Sequence, residues 1–154
     1  MEKATTHKVV HKAKEGAHAK HAEPSRYFEA VGRRKTAVAR VRFYPKDDAK
    51  HQVVVNGKNH MDYFKAMRYQ ISAVAPLKTL KINTGRVEAK VAGGGVMAQA
   101  EAVTLGLARA ITKFDSTLRK ILKPSGYLTR DARAVERKKF GFKKARRANQ
   151  WKKR

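Results

Sequence analysis

The chain has 154 residues, enough for one modest domain, and carries 37 Lys or Arg against 12 Asp or Glu, for a formal net charge of +25. Such an excess, spread over the whole chain, predicts an anionic partner, and nucleic acid is the simplest one. The absence of Cys excludes disulfide, zinc-ribbon and thiol chemistry. The sequence has no apolar run long enough to span a bilayer. It also has no lipidation signal and no long amphipathic helix with a basic face, which disfavours binding to a membrane surface.

Residues 1–26 hold little that could be buried, because Ala, Lys, Thr and His dominate them, and this composition predicts a disordered extension. The segment lacks the apolar stretch of a secretory signal, and its acidic residues disfavour a transit peptide, so we expect a cytoplasmic protein. A solvated tail is a simpler interpretation of its histidines than a metal site. They do have spacings that a metal could use on a helix, namely His7 with His11 and His18 with His21.

Residues 27–128 carry nearly all of the hydrophobic pattern and are predicted to form the folded domain. Apolar residues alternate with polar ones over 37–43, which predicts a strand with a basic outer face. A short strand is predicted at 53–55, before the strong turn signal Asn56-Gly57, and a third strand at 87–91.

Apolar residues between Met61 and Val74 recur at helical spacing, as one helix or two short ones, and Pro76 is expected to end them. Asp115 is positioned to cap a short helix that ends before Pro124. Between these segments, a long amphipathic helix is predicted after three glycines. Its expected buried face consists of Val96, Ala100, Val103, Leu107 and Ile111.

Strands that interleave with helices predict an α/β (α+β) fold, a two-layer sandwich in which a small, mostly antiparallel four-stranded sheet carries helices on one face. Residues 129–154 follow as a long basic C-terminal tail with 12 bases, 2 acids and few apolar anchors. Ala134–Glu136 is a candidate edge strand, and beyond Gly141 nothing in the sequence would hold the tail against the domain.

The three glycines at 93–95 are the most enzyme-like feature, because glycine lets backbone amides approach a phosphate at a helix N-terminus. They lack the Lys-Ser/Thr of a P-loop and the spacing of a dinucleotide fold. Small-molecule kinases of the galactokinase type have a similarly placed loop but need acidic metal ligands and a catalytic base, and this chain has few carboxylates. Close packing of the helix end against the sheet and an RNA phosphate resting there are the alternatives. We predict no catalytic residue, cofactor or metal site, and assign His51 and His60 no chemistry.

Gly32-Arg33-Arg34-Lys35 stands at the start of a predicted strand, where the plain interpretation is a solvated turn. With Arg40 and Arg42 on the polar face, these cations form a stripe suited to backbone phosphates, and similar cations recur in the tail. The residues predicted to bind RNA are Arg33, Arg34, Lys35, Arg40, Arg42, Arg130, Arg133, Arg137, Lys138, Lys139, Lys143, Lys144, Arg146 and Arg147.

Several motifs occur in an order that is typical of one protein family. They are Glu29–Val41, Asn56-Gly57, Tyr63-Phe64, Pro76-Leu77, Gly93–Ala102 with its triple glycine and Gln99, Leu107–Ala110, Leu128–Asp131, Val135–Lys139 and Lys144–Arg147. The series covers about residues 27–154 and resembles bacterial ribosomal small-subunit protein nine, the S-nine family.

The resemblance implies a domain with a left-handed crossover, set in the head of the small subunit against rRNA and neighbouring head proteins. It also implies a tail that threads through rRNA to the peptidyl site, where Lys153 and Arg154 contact the anticodon stem-loop of tRNA. Three residues depart from the family pattern: Asn149 replaces the usual Pro, Trp151 the usual Phe and Lys152 the usual Ser. Trp151 keeps an aromatic plane that can stack on a base or a ribose.

The resulting hypothesis is a non-enzymatic, rRNA-binding structural protein of the ribosome whose tail supports peptidyl-site tRNA. A free-standing RNA or DNA chaperone is the first alternative, and it differs by lacking stoichiometric residence in the small subunit. A small-molecule kinase is the second, and it would bind nucleotide with magnesium.

Overall fold

The computed structural model describes residues 27–46, 53–82 and 84–151. The predicted extension at 1–26, Asn83 and the last three residues of the tail lie outside these ranges. The strands are β1 (Phe28–Arg34), β2 (Ala37–Tyr44), β3 (Val53–Val55), β4 (Lys58–Asn59) and β5 (Arg86–Ala92). The helices are α1 (His60–Tyr63), α2 (Met67–Leu80), α3 (Val96–Phe114) and α4 (Arg119–Leu122), with a 3₁₀ turn at Ser116–Leu118 before α4. None of the helices in these ranges is long and apolar enough to cross a membrane.

One mixed sheet with the order β1-β2-β5-β3-β4 carries the helices on one face, which confirms the two-layer α/β prediction. All pairs are antiparallel except β3 with β5, whose connection runs through α1 and α2. The hand of that crossover stays a prediction. Asn56 and Gly57 both have positive φ, so they form the tight turn between β3 and β4 that their sequence predicts.

The predicted strand count of four was wrong, because the described sheet has five strands. The sequence pattern missed β1 since two of its helix-facing positions are Gly32 and Arg34, which interrupt the apolar alternation. The candidate strand Ala134–Glu136 lies outside the sheet. At the β1 edge, cations from α3 take the place of a further strand: Arg109 donates to the Val31 carbonyl (2.9 Å) and Lys113 to the Glu29 carbonyl (2.8 Å).

Helix α3 lies directly on the first two strands because glycines meet at the crossing. A Cβ atom at Gly32 would lie 1.8 Å from the Ala102 carbonyl oxygen and 2.5 Å from the Gly106 nitrogen. A Cβ at Gly106 would lie 2.7 Å from a methyl group of Val41. The buried face of α3 agrees with the prediction except at Val96, which is 47 % exposed.

The triple glycine packs the start of α3 against the β1–β2 turn. Gly93 and Gly94 both have positive φ, and Cβ atoms there would lie 2.7 Å from the Thr36 carbonyl oxygen and 2.9 Å from the Ala37 nitrogen. Gly95 has open space beside it. Close packing therefore explains the first two glycines without a bound phosphate.

Pro76 lies inside α2 and does not end the helix as predicted. Its ring nitrogen cannot donate to the Ser72 carbonyl one turn earlier. The Thr104 hydroxyl of α3 reaches that carbonyl instead, at 2.7 Å. A neighbouring helix thus satisfies the carbonyl that the proline leaves free, and the helix continues to Leu80.

Replacing the buried Thr104 by Val is expected to lower the free energy of unfolding by about 1 to 2 kcal/mol, since the half-buried Ser72 carbonyl would lose this donor. Urea denaturation of the full chain measures this. The matched control is Thr112→Val in the same helix, whose hydroxyl bonds only the Ala108 carbonyl of its own helix (2.8 Å). Equal losses in the two variants would contradict the role assigned to Thr104.

Candidate nucleic-acid interface

The sheet face opposite the helices is open and carries a regular array of cations. Arg40 of β2 pairs with Lys90 of β5 on one side and with Val31 of β1 on the other. Arg33 lies two residues after Val31 in β1, so its side chain is on the same face of the sheet as that of Arg40. Arg42 and Arg86 lie on the same face, so five cations share it with two carboxylates, Glu29 and Glu88. The register of three strands therefore places positive charge across neighbouring strands at spacings that a polyanion can follow.

The two carboxylates of the open face orient three of its arginines. Glu29 accepts from Arg40 (2.6 Å) and from Arg42 (2.9 Å), and these hydrogen bonds lower the pKa of Glu29, Arg40 first and Arg42 second. The bond with Glu29 in turn raises the pKa of Arg42, whose guanidinium also lies 4.8 Å from the centre of the Tyr27 ring. Glu88 holds Arg86 in the same way, at 2.6 Å. The side chain of Arg40 stays 58 % exposed, so its free N–H groups remain available to a phosphate.

Arg34 differs from the other predicted cations because its side chain is only 8 % exposed. It projects from β1 toward the helices and pairs with Glu101 of α3 (2.5 Å) and Asp131 of the tail (2.7 Å). It also donates to the Arg133 carbonyl at 2.6 Å. The neighbouring Arg33 and Lys35 are exposed, as the prediction requires of phosphate-binding residues.

Within the described part of the tail, up to residue 151, the basic residues are exposed, namely Arg130, Arg133, Arg137, Lys138, Lys139, Lys143, Lys144, Arg146 and Arg147. Trp151 is 95 % exposed. Asp131 accepts hydrogen bonds from Nε and Nη2 of the Arg133 side chain and one from the Arg133 amide, and these bonds, the side-chain ones first, hold the pKa of Asp131 well below its usual range. The tail therefore displays its cations to solvent before any RNA is bound.

The last described part of the tail forms a loop that is closed by hydrogen bonds among its own residues. Phe142 pairs with Ala148 in an antiparallel bridge, and Lys143 N–H donates to the Arg147 carbonyl at 2.7 Å. Asn149, which stands where the family usually has Pro, donates from its side chain to the Gly141 carbonyl at 3.1 Å. This loop, residues 142–148, displays four of the predicted cations: Lys143, Lys144, Arg146 and Arg147.

Sequence reasoning missed a third group of cations beside the edge of β1. Arg109, Lys113 and Arg119 line a cleft of about 470 Å³ together with apolar side chains. The available signal was the i, i+4 spacing of Arg109 and Lys113 on the exposed face of a predicted helix. Because both also bond β1 carbonyls, they stabilise the edge as well as adding charge.

Of the two histidines to which the sequence analysis assigned no chemistry, His51 lies outside the described residues and His60 lies within them. His60 is buried, and its burial lowers its pKa, so the ring is neutral at physiological pH. Within 27–46, 53–82 and 84–151, His, Asp and Glu residues nowhere gather in threes as a metal would require.

Comparison with known proteins relates most of the chain to one family. The model of the family "Ribosomal protein S9/S16" matches residues 32–154. The small ribosomal subunit protein uS9 of Thermotoga neapolitana is 48 % identical over 131 residues, which cover 82 % of this chain and 96 % of the relative. The uS9 proteins of Thermosynechococcus vestitus and Chlorobium limicola are each 47 % identical, over 82 % of this chain and 92 % and 97 % of their own lengths.

Proposed function

This chain belongs to the ribosomal protein S9/S16 family, and from that premise we propose that it binds small-subunit rRNA and that the tip of its tail contacts tRNA in the peptidyl site. Members of this family are structural, non-enzymatic components of the ribosome. The chain is therefore a structural constituent of the small ribosomal subunit and works in the cytoplasm.

The observation that carries the rRNA proposal is how charge is distributed over the described residues. On the open face and along the tail, the carboxylates Glu29, Glu88, Asp131 and Glu136 are each paired with an arginine. The exposed lysines and the free edges of the guanidinium groups are left for phosphates. Neutralising phosphates releases counterions from the RNA, which supplies the driving force without any base-specific contact.

We assign residues 27–128 to the domain that docks on rRNA and residues 129–154 to a tail that penetrates between RNA segments. The extension at 1–26 is assigned to disorder in the free chain, on composition alone. A tail of eighteen residues from Arg137 onward can extend about 60 Å, at about 3.3 Å per residue, which is ample to leave a small domain. RNA binding would then replace the contacts within loop 142–148 by contacts with phosphates.

The tRNA part of the proposal rests on the tail's exposure and on its terminal cations. Trp151 exposes its ring for stacking on a base or a ribose. Lys153 and Arg154 come after it and lie outside the described residues. Neighbouring proteins of the subunit head are further partners in this proposal.

The salt dependence of rRNA binding tests the electrostatic mechanism. If about eight cations meet phosphates, the slope of log affinity against log salt should lie near −6 to −7, from about 0.7 to 0.9 per contact. Filter binding of the full chain to transcribed small-subunit rRNA between 0.05 and 0.3 M salt, roughly the range where such slopes are linear, gives the value. A slope near −1 would mean that the charge is mostly solvated surface.

Sucrose-gradient sedimentation of cell extracts separates the ribosomal role from that of a free-standing chaperone. We expect one copy of the chain per small subunit, retained after a high-salt wash. Sub-stoichiometric association that the wash removes would favour the chaperone.

A further inference from the structure

Arg34 joins three parts of the molecule that are far apart in the sequence. Its three guanidinium nitrogens each have a different partner: Nε donates to Glu101 of α3, Nη1 donates to the Arg133 carbonyl, and Nη2 forms an ion pair with Asp131. The side chains of Glu101 and Asp131 are only 34 % and 32 % exposed, so the acceptors are largely enclosed as well. A guanidinium can satisfy three acceptors in one plane, whereas a lysine ammonium at the same place has no such fork.

Along the part of the tail that the structure describes, these are the last polar contacts with the domain. Tyr127 and Leu128 still pack against the core, which fixes the chain just before Asp131. From residue 134 to residue 151, the described hydrogen bonds stay within the tail, as in the pair of Arg146 with Glu136 and the bond from Asn149 to the Gly141 carbonyl. Residues 132–140 are exposed and belong to no helix or strand. The direction in which the tail leaves the domain is therefore set where Arg34 holds it.

The charges around Arg34 cancel. Arg34 and Arg133 face Glu101 and Asp131, so the cluster has no net charge, and Arg34 is too buried to reach a phosphate. Breaking one side of such a pair leaves a buried charge without its partner, which disfavours conformations in which the tail detaches.

We propose that Arg34 is a positioning residue that fixes the exit direction of the tail by holding Asp131 and the Arg133 carbonyl against α3. The functional part of this inference rests on the proposed binding of the tail to RNA. A tail whose first residues are already ordered loses less conformational freedom when it binds, so it binds more tightly. Arg34 thus acts on RNA affinity through Asp131 and without touching RNA.

The first test measures tail direction without RNA. The chain has no Cys, so I71C on α2 and V135C in the tail provide a pair of spin-label sites that leaves the charge unchanged; Ile71 is 43 % and Val135 87 % exposed. In the full chain we expect a narrow distribution of label distances that broadens at least about twofold in R34M. The D131A variant removes the tail's side of the contact and leaves the pair of Arg34 with Glu101 intact. It should broaden the distance distribution as much as R34M does, and it provides the test if R34M folds poorly. The control R40M removes another β-sheet arginine and should leave the width unchanged. Unchanged widths in R34M and D131A would overturn the proposal.

The second test separates positioning from phosphate contact, with transcribed small-subunit rRNA as the probe. We expect R34M to bind about three- to tenfold more weakly at fixed salt, the effect of ordering one or two further groups on binding, with the salt slope of the parent retained. R40M should lower the slope by about 0.7 to 0.9, because it removes a phosphate contact. A similar fall in slope for R34M would make Arg34 an RNA contact and overturn the proposal, and unchanged affinity would overturn its functional part. A parent slope near −1 would instead refute the proposed rRNA binding, while the label distances would still decide the role of Arg34.

Discussion

Replacing Gly32 by Ala is expected to lower the free energy of unfolding by at least about 3 kcal/mol, or to prevent folding, because the new methyl group would collide with backbone. The alanine Cβ would lie 1.8 Å from the Ala102 carbonyl oxygen and 2.5 Å from the Gly106 nitrogen. Both are backbone atoms of α3, which cannot move aside as a flexible side chain could. Relief would require α3 to lift from β1 and β2, which form its most extensive interface. Separation of that interface would expose Val103 and Leu107, both fully buried.

Urea denaturation of the full chain, followed by helical circular dichroism at moderate salt, measures the change. The matched control is Gly95→Ala at the N-cap of α3, where a Cβ meets nothing within 4 Å and φ is −97°. It should change stability by less than about 1 kcal/mol, since an alanine N-cap is only somewhat poorer than glycine. Similar losses in the two variants would show that the crossing can widen freely.

Deleting Lys153 and Arg154 is expected to weaken tRNA binding in the peptidyl site by about 1 to 3 kcal/mol, the usual range for hydrogen bonds to charged groups. Arginine can grip a phosphate with two parallel bonds, and the lysine beside it adds a compact charge. Assembly of the subunit should be nearly intact, because the open face and residues 130–147 retain their cations.

The measurement is tRNA affinity on small subunits that carry the truncated or the intact chain, at low and at moderate salt. A control that replaces Lys143 and Lys144 by Ala removes the same number of cations from loop 142–148 while leaving the tip in place. This control should lower the salt slope of rRNA binding and change tRNA affinity less than the tip deletion does. Equal tRNA losses would attribute the effect to total tail charge, and no loss after the deletion would refute a tRNA contact at the tip.

Much of this protein follows from its sequence because short segments encode their own preferences. The alternation in β2 and β5, the positive-φ turn at Asn56-Gly57 and the apolar face of α3 all depend on residues within a few positions of one another. The charge of the tail is likewise local. These features are enough to predict a two-layer α/β domain with a basic tail and a nucleic-acid partner.

Other features were decided only when distant segments met. The apolar alternation of β1 is interrupted at two helix-facing positions. Gly32 is needed because the backbone of α3 packs directly against it, and Arg34 is needed because it pairs with carboxylates of α3 and the tail. Pro76 sits within a helix because Thr104, on another helix, bonds the carbonyl that the proline cannot. Arg34 and Arg33 are adjacent cations in the sequence, yet one is buried among acids and the other is exposed. The physical reason is that burial and pairing depend on which surface a side chain meets, and alternation in a strand sends neighbouring side chains to opposite faces of the sheet.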